Sequence, residues 1–67
     1  MQLYTVRQIN KDGETISDKH VEADSAQAAL RELRKPSDEM HRLEVYDANQ
    51  RQVRQVLGKF WRANPRR

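Results

Sequence analysis

The apolar positions first recur at the spacing of a β-strand. Leu3-Tyr4-Thr5-Val6-Arg7-Gln8-Ile9 is rich in β-branched and aromatic residues, and Asn10-Lys11-Asp12-Gly13 follows with turn chemistry that includes an Asp-Gly pair. This pattern predicts a hairpin whose second strand runs from about Glu14 to Ala23. Val21 and Ala23 share a face in that strand, but Ile16 has the opposite parity, so a bulge or two half-buried faces must reconcile them.

The period then changes from two to 3.6. Ala26, Ala29, Leu30 and Leu33 fall at i, i+3, i+4 and i+7, which gathers them on one helical face. Asp24 or Ser25 can cap the first turn, and Gln27 stands where a capping-box partner of Asp24 would. Arg34 and Lys35 complement the negative end of the helix dipole before Pro36 stops the helix. Pro36 to His41 reads as a polar connection with Asp38 and Glu39 in solvent. Arg42-Leu43-Glu44-Val45-Tyr46-Asp47 then alternates as a third strand, with Leu43 and Val45 inward.

Residues 51–62 satisfy two templates. With Asp47-Ala48-Asn49-Gln50 as a turn, Arg51 to Leu57 returns antiparallel to the third strand. As a helix, Val53, Val56, Leu57, Phe60 and Trp61 match i, i+3, i+4, i+7 and i+8, with Asn49 and Gln52 as a capping pair. Periodicity favours the helix, although Gly58 in its interior costs about 1 kcal/mol relative to Ala, and the turn chemistry favours the strand. The fold class is α+β: ββαββ, a small antiparallel sheet with one helix on a face, or in the alternative ββαβα with a C-terminal amphipathic helix. Residues 1–62 form one domain and residues 63–67 a basic tail. The sequence has no internal repeat; its halves resemble each other only in being hairpin-like.

At 67 residues, with 36 % hydrophobic and 34 % charged side chains, the chain has material for one thin core. Cysteine is absent, which excludes a disulfide framework, a thiolate nucleophile and a cysteine-based zinc site. Neither a signal peptide nor an apolar run long enough for a membrane span is expected, so the default location is cytoplasmic.

Catalytic patterns are not evident. His20 and His41 fall in different elements without a ligand motif, and Asp38-Glu39 reads as a solvated pair on a loop. Gly13 and Gly58 are the only glycines, too few for a phosphate-binding loop, and Ser17, Ser25 and Ser37 lack the context of a nucleophile. We therefore expect no enzyme, no cofactor and no metal.

Charge carries more information. Residues 1–50 hold seven Lys or Arg against ten Asp or Glu, a net of −3, whereas the last 17 hold six basic residues and no acid. Those six are Arg51, Arg54, Lys59, Arg62, Arg66 and Arg67, and with Trp61 as a stacking platform they form the candidate binding segment. Guanidinium grips phosphate or carboxylate with paired hydrogen bonds, and a basic segment with an exposed aromatic suits single-stranded nucleic acid. In the helical reading, Phe60 and Trp61 join the core instead.

The order of a hairpin, the junction Val21-Glu22-Ala23-Asp24-Ser25-Ala26-Gln27-Ala28-Ala29-Leu30 and a further strand resembles the layout of many small proteins carried by phages and mobile elements. Some of those act by stoichiometric binding to a host enzyme or nucleoprotein complex. The expected partners are thus nucleic acid or an acidic protein surface, without a membrane. A protein-interaction or inhibitor module is the alternative, and monomer and homodimer both stay open.

Overall fold

A computed structural model of the chain describes residues 1–33 and 36–59. Its elements in chain order are β1 (Gln2–Ile9), β2 (Thr15–Ala23), α1 (Ala26–Arg31), β3 (Arg42–Tyr46) and β4 (Gln52–Leu57). The strands form one antiparallel sheet in the order β2-β1-β3-β4, and α1 packs over β1, β2 and β3. The α+β class expected from the sequence holds, as a four-stranded antiparallel sheet with one short helix. Residues 52–57 form a strand, so the helical template is not used there; Phe60, Trp61 and residues 63–67, expected as a tail, lie outside the described residues.

Both hairpins are closed by the same turn. Asn10 accepts a backbone hydrogen bond from Gly13 at 3.0 Å, and its Oδ1 accepts from the amides of Asp12 and Glu14, each at 2.9 Å. Asp47 repeats this with Gln50 at 3.0 Å and with the amides of Asn49 and Arg51 at 2.9 and 3.0 Å. An Asx side chain favours such turns because it mimics a backbone acceptor two residues ahead. The fourth residue of each adopts a left-handed backbone, Gly13 at φ 86° and Gln50 at φ 65°. Glycine accepts this without penalty; glutamine does not.

The register of each hairpin then shifts by one residue. Gln8 pairs with Ser17 and Ile9 with Thr15, which leaves Ile16 as the extra residue. In the second hairpin Val45 pairs with Arg54 and Tyr46 with Gln52, which leaves Val53. The parity conflict at Ile16 is thus resolved by a bulge. Because β1 and β3 pair about Arg7 and Glu44, the second hairpin repeats the first across an approximate two-fold axis normal to the sheet. The two halves therefore share a backbone plan and the Asx side chain that opens each turn.

The core lies between α1 and one sheet face. Tyr4, Val6, Val21, Ala23, Leu43 and Val45 meet Ala29, Leu30, Leu33 and Met40, with Leu43 and Val45 fully buried. Burying each such aliphatic side chain contributes roughly 1.5–3 kcal/mol. Ser25 is the N-cap, and its hydroxyl accepts from the Ala28 amide at 3.1 Å.

The regular helix is shorter than its apolar period predicts. Glu32 and Leu33 donate to carbonyls three residues back, at 3.1 Å each, so the last turn tightens while still delivering Leu33 to the core. Arg34 and Lys35 lie outside the described residues. The connection that follows is less polar than expected. Met40 is 2 % exposed in the core, and the buried Gln8 side chain accepts from the Ser37 amide at 2.7 Å, tying this loop to the sheet.

Candidate polyanion interface

Paired residues share a sheet face, so the register assigns every strand side chain. The face away from α1 carries Thr5, Arg7, Asp18, His20, Glu44, Tyr46 and Gln55. Across it runs a belt of polar contacts. Arg7 Nε lies 2.8 Å from Asp18 Oδ1, and the Arg7 guanidinium sits 4.7 Å from the centre of the Tyr46 ring. The Tyr46 hydroxyl donates to Glu44 Oε1 at 2.7 Å, and Arg42 Nε donates to Glu44 Oε2 at 2.8 Å. Gln52 and Gln55 of β4 bond to each other at 3.2 Å.

The belt satisfies itself. Burial pushes the Glu44 carboxyl up, but the hydrogen bonds from Tyr46 and Arg42 outweigh it and hold the group below its ordinary range. The Tyr46 phenol is raised, first by that same bond to Glu44 and then by burial. The hydrogen bond to Asp18 raises the Arg7 guanidinium against the opposing effect of burial. Glu44 has both carboxylate oxygens engaged, by Tyr46 and by Arg42, whereas Asp18 holds Arg7 through Oδ1 with its side chain still 42 % exposed.

Neither histidine alters that picture. His20 is exposed, with Nδ1 3.1 Å from Thr5 Oγ1, and His41 is exposed at the far end of the connection. Among the described residues, no three His, Cys, Asp or Glu side chains converge as a metal site would require. No helix among them is long and apolar enough to cross a membrane.

The arginines divide by location. Arg7 and Arg42, on strands β1 and β3, are both committed to acids within the sheet. Arg51 and Arg54 are exposed and enter no ion pair among the described residues. Arg51 leaves the second turn, where its amide is held by Asp47, and Arg54 stands on outer strand β4 opposite Val45. Lys59 is exposed two residues beyond β4, beside Met40, His41 and Leu57.

Gln52, Val53, Arg54 and Gln55 are all exposed, so this stretch of β4 contributes little to the core and much to the surface. Arg51 thus directly precedes β4 and Arg54 stands within it, while Lys59 follows its far end. The other expected members, Trp61, Arg62, Arg66 and Arg67, lie outside the described residues. The polar belt was missed in the sequence, although one signal for it was present: Arg7, Glu44 and Tyr46 occupy the parity opposite to Val6, Leu43 and Val45. No protein-family model, curated protein or solved structure matches this chain.

Proposed function

We propose that this chain is a non-enzymatic binding domain that contacts nucleic acid or another polyanion through the basic segment beginning at β4. The observation that carries this reading is the contrast between arginines: Arg7 and Arg42 spend their charge within the sheet, while Arg51 and Arg54 present theirs to solvent in a stretch that holds no acid after Asp47. A guanidinium already paired internally must break that pair to bind a phosphate; an unpaired one need not. Lys59, Arg62, Arg66 and Arg67 extend the same positive run, and Trp61 supplies a ring on which a base can stack.

In this reading residues 1–62 act as one cytoplasmic domain and residues 63–67 as its basic tail. The belt on the sheet supports binding over catalysis, since both oxygens of Glu44, its buried acid, are already taken by Tyr46 and Arg42. Trp61 is the only tryptophan, so its fluorescence reports contact directly. Titration with a short single-stranded oligonucleotide at low salt quenches or shifts that emission, and added salt reverses the change. An emission unchanged at low salt, where even nonspecific binding is strongest, excludes this reading.

The outer edge of β4 favours a second reading, a protein-interaction module. Among the described residues no strand pairs with the outer side of β4, and the backbone donors and acceptors of such an edge can be completed by another strand.

A further inference from the structure

The two outer strands sit in stretches of opposite charge. From Glu14 to Asp24, the stretch containing β2 holds Glu14, Asp18, Glu22 and Asp24 against Lys19, a net of −3, or −2 once the Arg7 bound to Asp18 is counted. From Arg51 to Lys59, the stretch containing β4 holds Arg51, Arg54 and Lys59 with no acid, a net of +3. Because β2 and β4 are opposite ends of the sheet, the described body is charged from one edge to the other along the sheet.

Strand direction makes those edges compatible. Each neighbouring pair is antiparallel, so β2 and β4 run in opposite senses. A copy displaced along the sheet sets its β2 antiparallel to β4 of the first, with both helices on the same face. We infer that the chain self-associates head to tail, β4 of one copy pairing with β2 of the next. This rests on the reading of β4 as an interaction edge and is independent of anion binding.

Charge excludes the symmetric alternatives. Joining β4 to β4 brings two +3 stretches together, and joining β2 to β2 brings two −3 stretches together. Charge also narrows the register. Arg54 and Lys19 lie on the helix side of the sheet, opposite Val45 and Val6, so a register that apposes them is disfavoured. Sliding by two residues keeps each side chain on its face. It sets Arg54 opposite Val21 of the second copy and Gln55 opposite His20, and it carries Arg51 toward Asp24. Such an interface does not close on itself, so it builds open chains whose length grows with concentration.

The test combines sedimentation velocity on the full chain with cysteine cross-linking, which the absence of native cysteine makes clean. At low ionic strength the sedimentation coefficient rises with concentration, and salt reverses the rise as it screens the two edges. Arg51→Glu with Arg54→Glu, checked for folding by circular dichroism, weakens association by about tenfold or more. Oxidation of a mixture of Gln55→Cys and His20→Cys chains yields mainly the mixed disulfide, since antiparallel partners stand about 5.5 Å apart at Cα, within disulfide range. Cross-links confined to Gln55→Cys pairs overturn the head-to-tail arrangement while leaving β4 an interaction edge. A single unassociated species at low salt, with no cross-link at either position, overturns both. Oligonucleotide binding by that species leaves the polyanion reading standing.

Discussion

The hairpins β1–β2 and β3–β4 share a turn and a bulge position and are related by the approximate two-fold axis, yet they serve different ends. In the first, Tyr4, Val6, Val21 and Ala23 are all buried, and α1 covers them. In the second, β3 is buried through Leu43, Glu44 and Val45, while β4 is exposed from Gln52 to Gln55. Their turns differ in one decisive residue, since Gly13 occupies the left-handed position without strain and Gln50 does not. Turn chemistry therefore sets the backbone plan in both hairpins, and side chains decide how much of each enters the core. The second is left with an outer strand free to carry charge.

The largest effect is expected in the core that joins α1 to the sheet. Leu30→Ala, at a side chain 3 % exposed, costs about 2–5 kcal/mol in urea denaturation, enough to leave much of this small domain unfolded. Val53→Ala, on the exposed part of β4, changes stability by less than about 0.5 kcal/mol. Similar losses at the two sites would erase the division between a core-building hairpin and a surface-bearing strand.

A smaller effect comes from the belt that crosses both hairpins. The Glu44 carboxyl is depressed in the folded state, so its contribution is present above the ordinary value of 4.5 and is lost as pH falls through the lower folded value. The Tyr46 phenol is raised, so its contribution is present below its ordinary value of 10.0 and is lost as pH climbs through the folded value. Stability should therefore fall at both extremes. Tyr46→Phe should remove the alkaline limb and cost about 1.5 kcal/mol at neutral pH, read as a lower urea midpoint. An unchanged midpoint would show that the Tyr46–Glu44 bond adds nothing net.

The turn and cap effects are smaller again. Ser25→Ala deprives the Ala28 amide of its acceptor and costs about 1 kcal/mol by thermal denaturation. Gln50→Gly relieves the left-handed backbone and should stabilise the domain by roughly 1 kcal/mol, whereas Gly13→Ala should destabilise it by a similar amount. If both substitutions moved stability in the same direction, the two turns would not be equivalent.

Local chemistry made most of this fold legible in the sequence. The Asp12-Gly13 pair marked the first turn, the 3.6-residue spacing of Ala26, Ala29, Leu30 and Leu33 marked the helix face, and the parity of Ile16 called for a bulge or two half-buried faces, of which the bulge forms. The stretch after Gln50 was harder to read because Val53, Val56 and Leu57 fit either period. Pairing with β3 resolved it for residues 52–57, a long-range interaction that no local window contains.

Met40 and Gln8 were illegible for a related reason. Met40 enters the core because the loop folds back over the sheet, and Gln8 is buried because it holds the Ser37 amide of that loop. Of the candidate site, the sequence revealed which residues are basic but not which of them are spent. That distinction needed the acids beside Arg7 and Arg42 to be located.

The most direct test of the polyanion reading is the salt dependence of binding to a labelled single-stranded oligonucleotide, followed by anisotropy for the native chain and for Arg51→Gln/Arg54→Gln. The native chain should bind at low salt, and the double variant should bind more weakly, with a slope of log K against log salt shallower by about 1.4, the loss of two phosphate contacts. Binding with the same affinity and slope in both proteins, or no binding at low salt in either, would contradict a polyanion surface that begins at β4.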